Sequence, residues 1–175
     1  MARKKKPKSM LIVDGYNIIG AWPKLRDLKD KELMDEARDQ LISMLADYQS
    51  YSGTKVIVVF DAYMVPGLGR IQNEYLIDIY FTKEKETADE KIEKLVHEYF
   101  EKNRQIYVAT SDYTSQRVIF GQGALRKSAR ELLLDIESTG KEIKETVDKT
   151  KEDRFSTRIS LNDDIAKIFE KWRRE

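Results

Sequence analysis

The chain contains no cysteine, which excludes a disulfide framework, a cysteine-ligated zinc site and thiol catalysis, and points to a reducing compartment such as the cytoplasm. Its single histidine, His97, leaves almost nothing for histidine-based acid–base or metal chemistry, and its place beside Val96 in a helical stripe reads as structural rather than catalytic. Apolar runs are short. Met10 to Val13 ends at Asp14, so the basic opening is not followed by a signal-peptide core, and no membrane span is expected. A strong charge of one sign is missing too: 32 Lys and Arg face 31 Asp and Glu, a net of +1. Taken as a total, that balance argues against a polyanionic partner.

The distribution of charge says otherwise. Arg3, Lys4, Lys5, Lys6 and Lys8 open the chain without an acid, and the remaining 165 residues carry 27 bases and 31 acids. Residues 1–8 therefore read as a basic flexible leader, either simply solvated or a polyanion-binding arm. Hydrophobic residues at 41%, with 9 Tyr, 6 Phe and 2 Trp, exclude a mainly disordered chain and suffice for one core without staples.

Met10-Leu11-Ile12-Val13 and Val56 to Phe60 are continuous apolar runs that stop at Asp14 and Asp61, the pattern of buried strands meeting polar turns. Apolar residues from Leu33 to Tyr48 recur at three- and four-residue steps and predict a helix over 31–51, with Asp30 as N-cap and Gly53 past its end. Met64 to Arg70 reads as a Pro- and Gly-containing loop. Tyr75 to Thr82 reads as a third strand, Thr87-Ala88-Asp89-Glu90 as a capping box opening a helix, and Ile106 to Ala109 as a fourth strand. Helices are expected over 113–120 and 125–138. From Gly140 to Arg158 the chain is charged and weakly patterned, before a short amphipathic helix carrying Ile165, Ile168, Phe169 and Trp172. Strands alternating with helices predict an α/β fold, a mostly parallel sheet of at least four strands with helices on both faces. The expected organisation is one domain over residues 9–140, with a C-terminal helical extension, 141–175, packing on it.

Three of these strands run into aspartate: Asp14, Asp61, and Asp112 just past the fourth. In an open parallel sheet the ligand crevice lies outside the carboxyl ends of the strands, so these acids should converge there. Asp89, in the first turn of a helix, can face the same edge, and Asn17 lies one turn past Asp14. Carboxylates crowded together repel one another unless a cation neutralises them, and an all-oxygen set suits Mg2+ or Mn2+. Such an ion supports phosphodiester hydrolysis without a side-chain nucleophile. Each acid also has a structural alternative, because aspartate caps turns and helix starts.

Val13-Asp14-Gly15-Tyr16-Asn17-Ile18-Ile19, then Val59-Phe60-Asp61-Ala62, Thr87 to Ile92 and Ala109-Thr110-Ser111-Asp112 resemble, in order and spacing, the NYN domain of the PIN-like nuclease superfamily, and its bacterial YacP-like branch in particular. The resemblance covers about residues 9–137 and, more loosely, the C-terminal helix. It implies a three-layer PIN-like fold and endoribonuclease activity with a divalent metal. It also implies a metal-holding cluster of Asp14, Asp61, Asp89 and Asp112, with Asn17 and Ser111 as polar helpers. The partner it implies is messenger RNA in the context of the ribosome. The basic leader departs from the family pattern, which starts close to the first strand.

A nuclease brings a polyanion to an acidic site, so bases should frame the crevice. Arg70, Lys83, Lys85, Arg117, Arg126, Lys127 and Arg130 all follow strand ends, and Tyr16, Tyr63 and Tyr113 stand beside the motif acids, where aromatic rings stack on unpaired bases. Two other classes compete. A noncatalytic RNA- or ribosome-binding module would keep the acids without turnover. A phospho-acceptor signalling domain also puts aspartates at strand ends, but it needs paired acids after the first strand, where Gly15 follows Asp14, and a lysine on the last.

Overall fold

The computed structural model describes residues 9–61, 71–74, 76–100, 104–111, 121 and 123–173, with side chains at 71–74, 153–166, 168, 169 and 172 left aside. The chain divides into two compact units, Met1–Thr139 and Gly140–Glu175.

In the first unit, β1 (Ser9–Asp14), β2 (Lys55–Phe60), β3 (Ile71–Glu74), β4 (Ile77–Phe81), β5 (Gln105–Ala109) and β6 (Leu125–Lys127) form one sheet in the order β3-β4-β2-β1-β5-β6. All neighbours are parallel except β3 and β4. The expected parallel α/β sheet is thus present, with two strands more than the minimum. Alternation along β1 shows why its run is apolar throughout. Leu11 and Val13 belong to one buried cluster, Met10 and Ile12 to the other, as in a strand covered on both faces. The first cluster gathers Val56, Val58 and Phe60 with residues of α1 (Gly15–Ala21), α2 (Pro23–Asp30), α3 (Met34–Ser52) and the start of α5 (Ala129–Arg173). The second packs Ala88, Ile92, Leu95 and Val96 of α4 (Ala88–Phe100) on Ile57, Val59, Ile106 and Val108. Two helical layers enclose the sheet, as the PIN-like architecture requires.

Several boundaries differ from expectation, each for a local reason. The polar turn expected after Asp14 is the first turn of α1. Asp30 does not cap α3; it closes α2, whose start Pro23 marks at a first helical position, and Leu33 holds the N-cap of α3. Gly53 does end α3, at φ 71°. The third expected strand is present as β4, from Ile77 to Phe81, and β3 ahead of it was not expected; the two pair antiparallel across a turn near Leu76, itself at φ 69°. The helix expected from Leu125 starts at Ala129, because 125–127 pair with Tyr107 to Ala109 as an edge strand. Ser128 then opens the helix: its Oγ accepts from the Glu131 amide at 3.1 Å and its own amide donates to Glu131 Oε2 at 2.7 Å. Thr87 and Glu90 form the expected box at α4. The loop at 64–70, the helix at 113–120 and the leader 1–8 lie outside the described residues.

The second unit is helical. Where weak patterning followed by a short helix was expected, α5 continues to Arg173. Lys and Glu are strong helix formers with i,i+4 complementarity, and Thr146 and Thr150 turn their hydroxyls back to the carbonyls of Glu142 and Thr146. Among the described residues no helix is long and apolar enough to cross a membrane.

Candidate functional site at the carboxyl edge of the sheet

Strand order reverses beside β1: the chain moves outward through β2 and β4, then returns to β5 on the other flank. The crevice of such a sheet opens at that reversal, above the ends of β1 and β5. Asp14, 9% exposed, is the last residue of β1 and the N-cap of α1, yet its side chain makes no capping hydrogen bond. The capping alternative therefore does not account for it. Asp61 is half-buried directly after β2, two residues beyond Val59, the register partner of Asp14. The two carboxylates stand at the ends of adjacent strands.

Asn17 spans the reversal. Its Oδ1 accepts from the Ser111 amide at 2.7 Å and the Ser111 hydroxyl at 2.8 Å, tying the first turn of α1 to the chain leaving β5. A backbone N–H is only a donor, so the amide orientation is fixed and Nδ2 is left to donate. The two polar helpers are thus one unit.

Gly15 sets the closeness of this turn. A Cβ there would stand 2.3 Å from Phe60 Cε1, and Phe60 has nowhere to go, wedged between Tyr16 and Phe81 at centroid distances of 5.1 and 5.6 Å. Arg38 of α3 donates from Nη1 to the Tyr16 hydroxyl at 2.8 Å and ion-pairs with Asp35. Burial pushes the Tyr16 phenol above its usual range, the Arg38 bond and charge pull the other way, and the Asp61 charge adds to the rise. Arg38 was missed in the sequence because it lies 22 residues from its partner, on a helix read only for its apolar stripe.

Asp89 sits exposed in the first turn of α4, where the helix dipole favours an acid in any case. Asp112, Arg70 and Arg117 lie outside the described residues, as do Tyr63 and Tyr113. Among the described residues no group of three or more Asp, Glu, His or Cys is placed to hold a metal ion. The donor chemistry still fits Mg2+ or Mn2+, since Mg2+ takes one or two carboxylates and completes its shell with water and phosphate.

Lys83 and Lys85 are exposed on the turn after β4, closed by the Glu86 amide on the Lys83 carbonyl at 2.9 Å and by Lys94 on Glu86 at 2.7 Å. Lys94 holds the Glu86 carboxyl below its usual range. Arg126 on β6 and Arg130 in the first turn of α5 are exposed as well. Lys127 is otherwise engaged: it ion-pairs with Asp135 and lies 5.7 and 6.0 Å from the ring centres of Tyr107 and Tyr48. Burial works against its charge, but Asp135 and Tyr48 hold its ammonium above the usual lysine range. His97, read as part of the helical stripe, is exposed in the last turn of α4.

The chain is similar to the protein YacP of Bacillus subtilis (strain 168), 54% identical over 165 residues that cover 94% of this chain and 96% of that one. The crystal structure of Rae1 (YacP) from Bacillus subtilis superposes with a TM-score of 0.74 over 95% of both chains, at 54% identity. The crystal structure of a tryptophan-to-leucine mutant of that same protein superposes with a TM-score of 0.70, over 81% of this chain and 82% of that one. The family model described as the YacP-like NYN domain matches residues 11–174, and the chain belongs to that family.

Proposed function

We propose that this protein is a divalent-metal-dependent endoribonuclease, acting on messenger RNA in the context of the ribosome. Membership in a nuclease-type family supports the RNA-directed half of that reading. The observation that carries the rest is the paired placement of Asp14 and Asp61 at adjacent strand ends, where the order of the sheet reverses and Asn17 binds Ser111 across it.

Asp14 and Asp61 would hold Mg2+ or Mn2+, with Asp112 and Asp89 as the further acids the family resemblance implies. Bound there, the ion would acidify a water and offset charge developing on the phosphate. The chain's own residues hold and orient. Asn17 fixes the turn carrying Ser111 and offers Nδ2 to a phosphate oxygen. Lys83, Lys85, Arg126 and Arg130 supply positive charge around an acidic centre, which is how a chain of near-zero net charge can bind a polyanion.

The test is to incubate purified protein with messenger RNA, with and without translating ribosomes and Mg2+, and to map the cut ends. Asp14→Asn combined with Asp61→Asn should abolish cleavage while leaving the fold intact. Undiminished cleavage by that variant would overturn the assignment. The competing reading is a noncatalytic RNA-binding module. Such a module binds RNA equally with or without divalent ion and never cuts it.

A further inference from the structure

Tyr16 stands in the first turn of α1, two residues past Asp14, and is held from two sides. Its ring packs against Phe60 in a tilted contact, with centroids 5.1 Å apart at 58°. At its far end the phenolic oxygen accepts from Arg38 Nη1 at 2.8 Å. The guanidinium is itself fixed, since Nη2 is bound to Asp35 one turn earlier on α3. With its oxygen accepting from arginine, the hydroxyl has its own proton left to donate, and a donor that also accepts from a cation is strengthened. The ring stays half-buried rather than sealed, in the helical turn that follows Asp14 at the carboxyl end of β1, the same edge as the acids.

We infer that Tyr16 contacts substrate through its hydroxyl, donating a hydrogen bond to a non-bridging oxygen of the bound phosphodiester, and that Arg38 is the residue that positions and polarises it. This rests on the endoribonuclease reading for its kinetic test but not for its binding test.

Tyr16→Phe removes one oxygen and keeps the ring on Phe60, so it isolates the hydroxyl. It should melt like wild type and bind a single-stranded RNA oligonucleotide in EDTA about fivefold more weakly. With Mg2+ it should lose about tenfold in kcat/KM. Arg38→Gln should show a similar loss, Arg38→Lys should recover part of it, and Arg38→Gln should add less than about twofold in the Tyr16→Phe background, because Arg38 acts through the phenol. Equal RNA binding by Tyr16→Phe and wild type overturns the inference, as does a full Arg38→Gln effect without the hydroxyl. Wild-type protein that binds RNA but never cuts it defeats the nuclease reading alone, and the EDTA comparison then decides the role of Tyr16.

Discussion

At the scale of single residues, Asn17 does two things that substitution can separate. Its Oδ1 takes both Ser111 hydrogen bonds, and in the proposed reaction its Nδ2 would donate to a phosphate oxygen. Asn17→Ala removes both functions. Asn17→Asp keeps an oxygen for Ser111, loses the donors and adds a negative charge close to Asp14. Groups that orient a reactive centre typically cost about 10–100-fold when removed, and both variants should lose cleavage in that range under single-turnover conditions. Only Asn17→Ala should loosen the turn, seen as faster amide exchange at Ser111. Wild-type cleavage by Asn17→Asp would mean that tying the two segments together is the whole of its role.

At the scale of elements, the capping boxes fix where the helices that frame the crevice begin. Ser128→Ala should destabilise the protein by about 1 kcal/mol, read as a lower urea midpoint. The acid of that box brings a pH dependence. The Ser128 amide and hydroxyl hold the Glu131 carboxyl below its ordinary range, so its folded-state pKa lies under its unfolded one. Stability from this group is present above the unfolded value, near about 4.3, and is lost as pH falls through the folded value. Glu86, lowered chiefly by Lys94, behaves the same way. The midpoint difference between wild type and Glu131→Gln should shrink between about pH 7 and about pH 3.5; a constant difference would mean that the charged form contributes nothing.

These same elements show what a linear reading reaches. β1, β2 and β5 were legible because strands buried on both faces are apolar throughout, and α4 was legible from its capping box. The Ser-x-x-Glu of residues 128–131 is the same signal, overridden by apolar spacing that ran from Leu125. β3, Ile-Gln-Asn-Glu, has no strand pattern and exists through its pairing with β4. Of the site, Asp14 and Asp61 were visible at strand ends, whereas Arg38 depends on α3 crossing α1, a tertiary contact that no local spacing encodes.

At the scale of the whole molecule, a net charge of +1 says little, because the bases divide into those available to a polyanion and those already spent. Arg126 and Arg130 are exposed near the carboxyl edge, while Lys127 between them in sequence is tied to Asp135 and two tyrosine rings. Single-stranded nucleic acid releases about 0.7 counterions per phosphate neutralised. Arg126→Ala with Arg130→Ala should therefore flatten the slope of log affinity against log salt by about 1.4, measured by fluorescence anisotropy in EDTA so that no RNA is cut. Lys127→Ala should leave that slope unchanged and instead cost stability on the order of 1 kcal/mol, through the lost ion pair and ring contacts. The opposite pattern, a flattened slope for Lys127→Ala alone, would require RNA to displace Asp135 and would route the strand along β6 rather than past the start of α5.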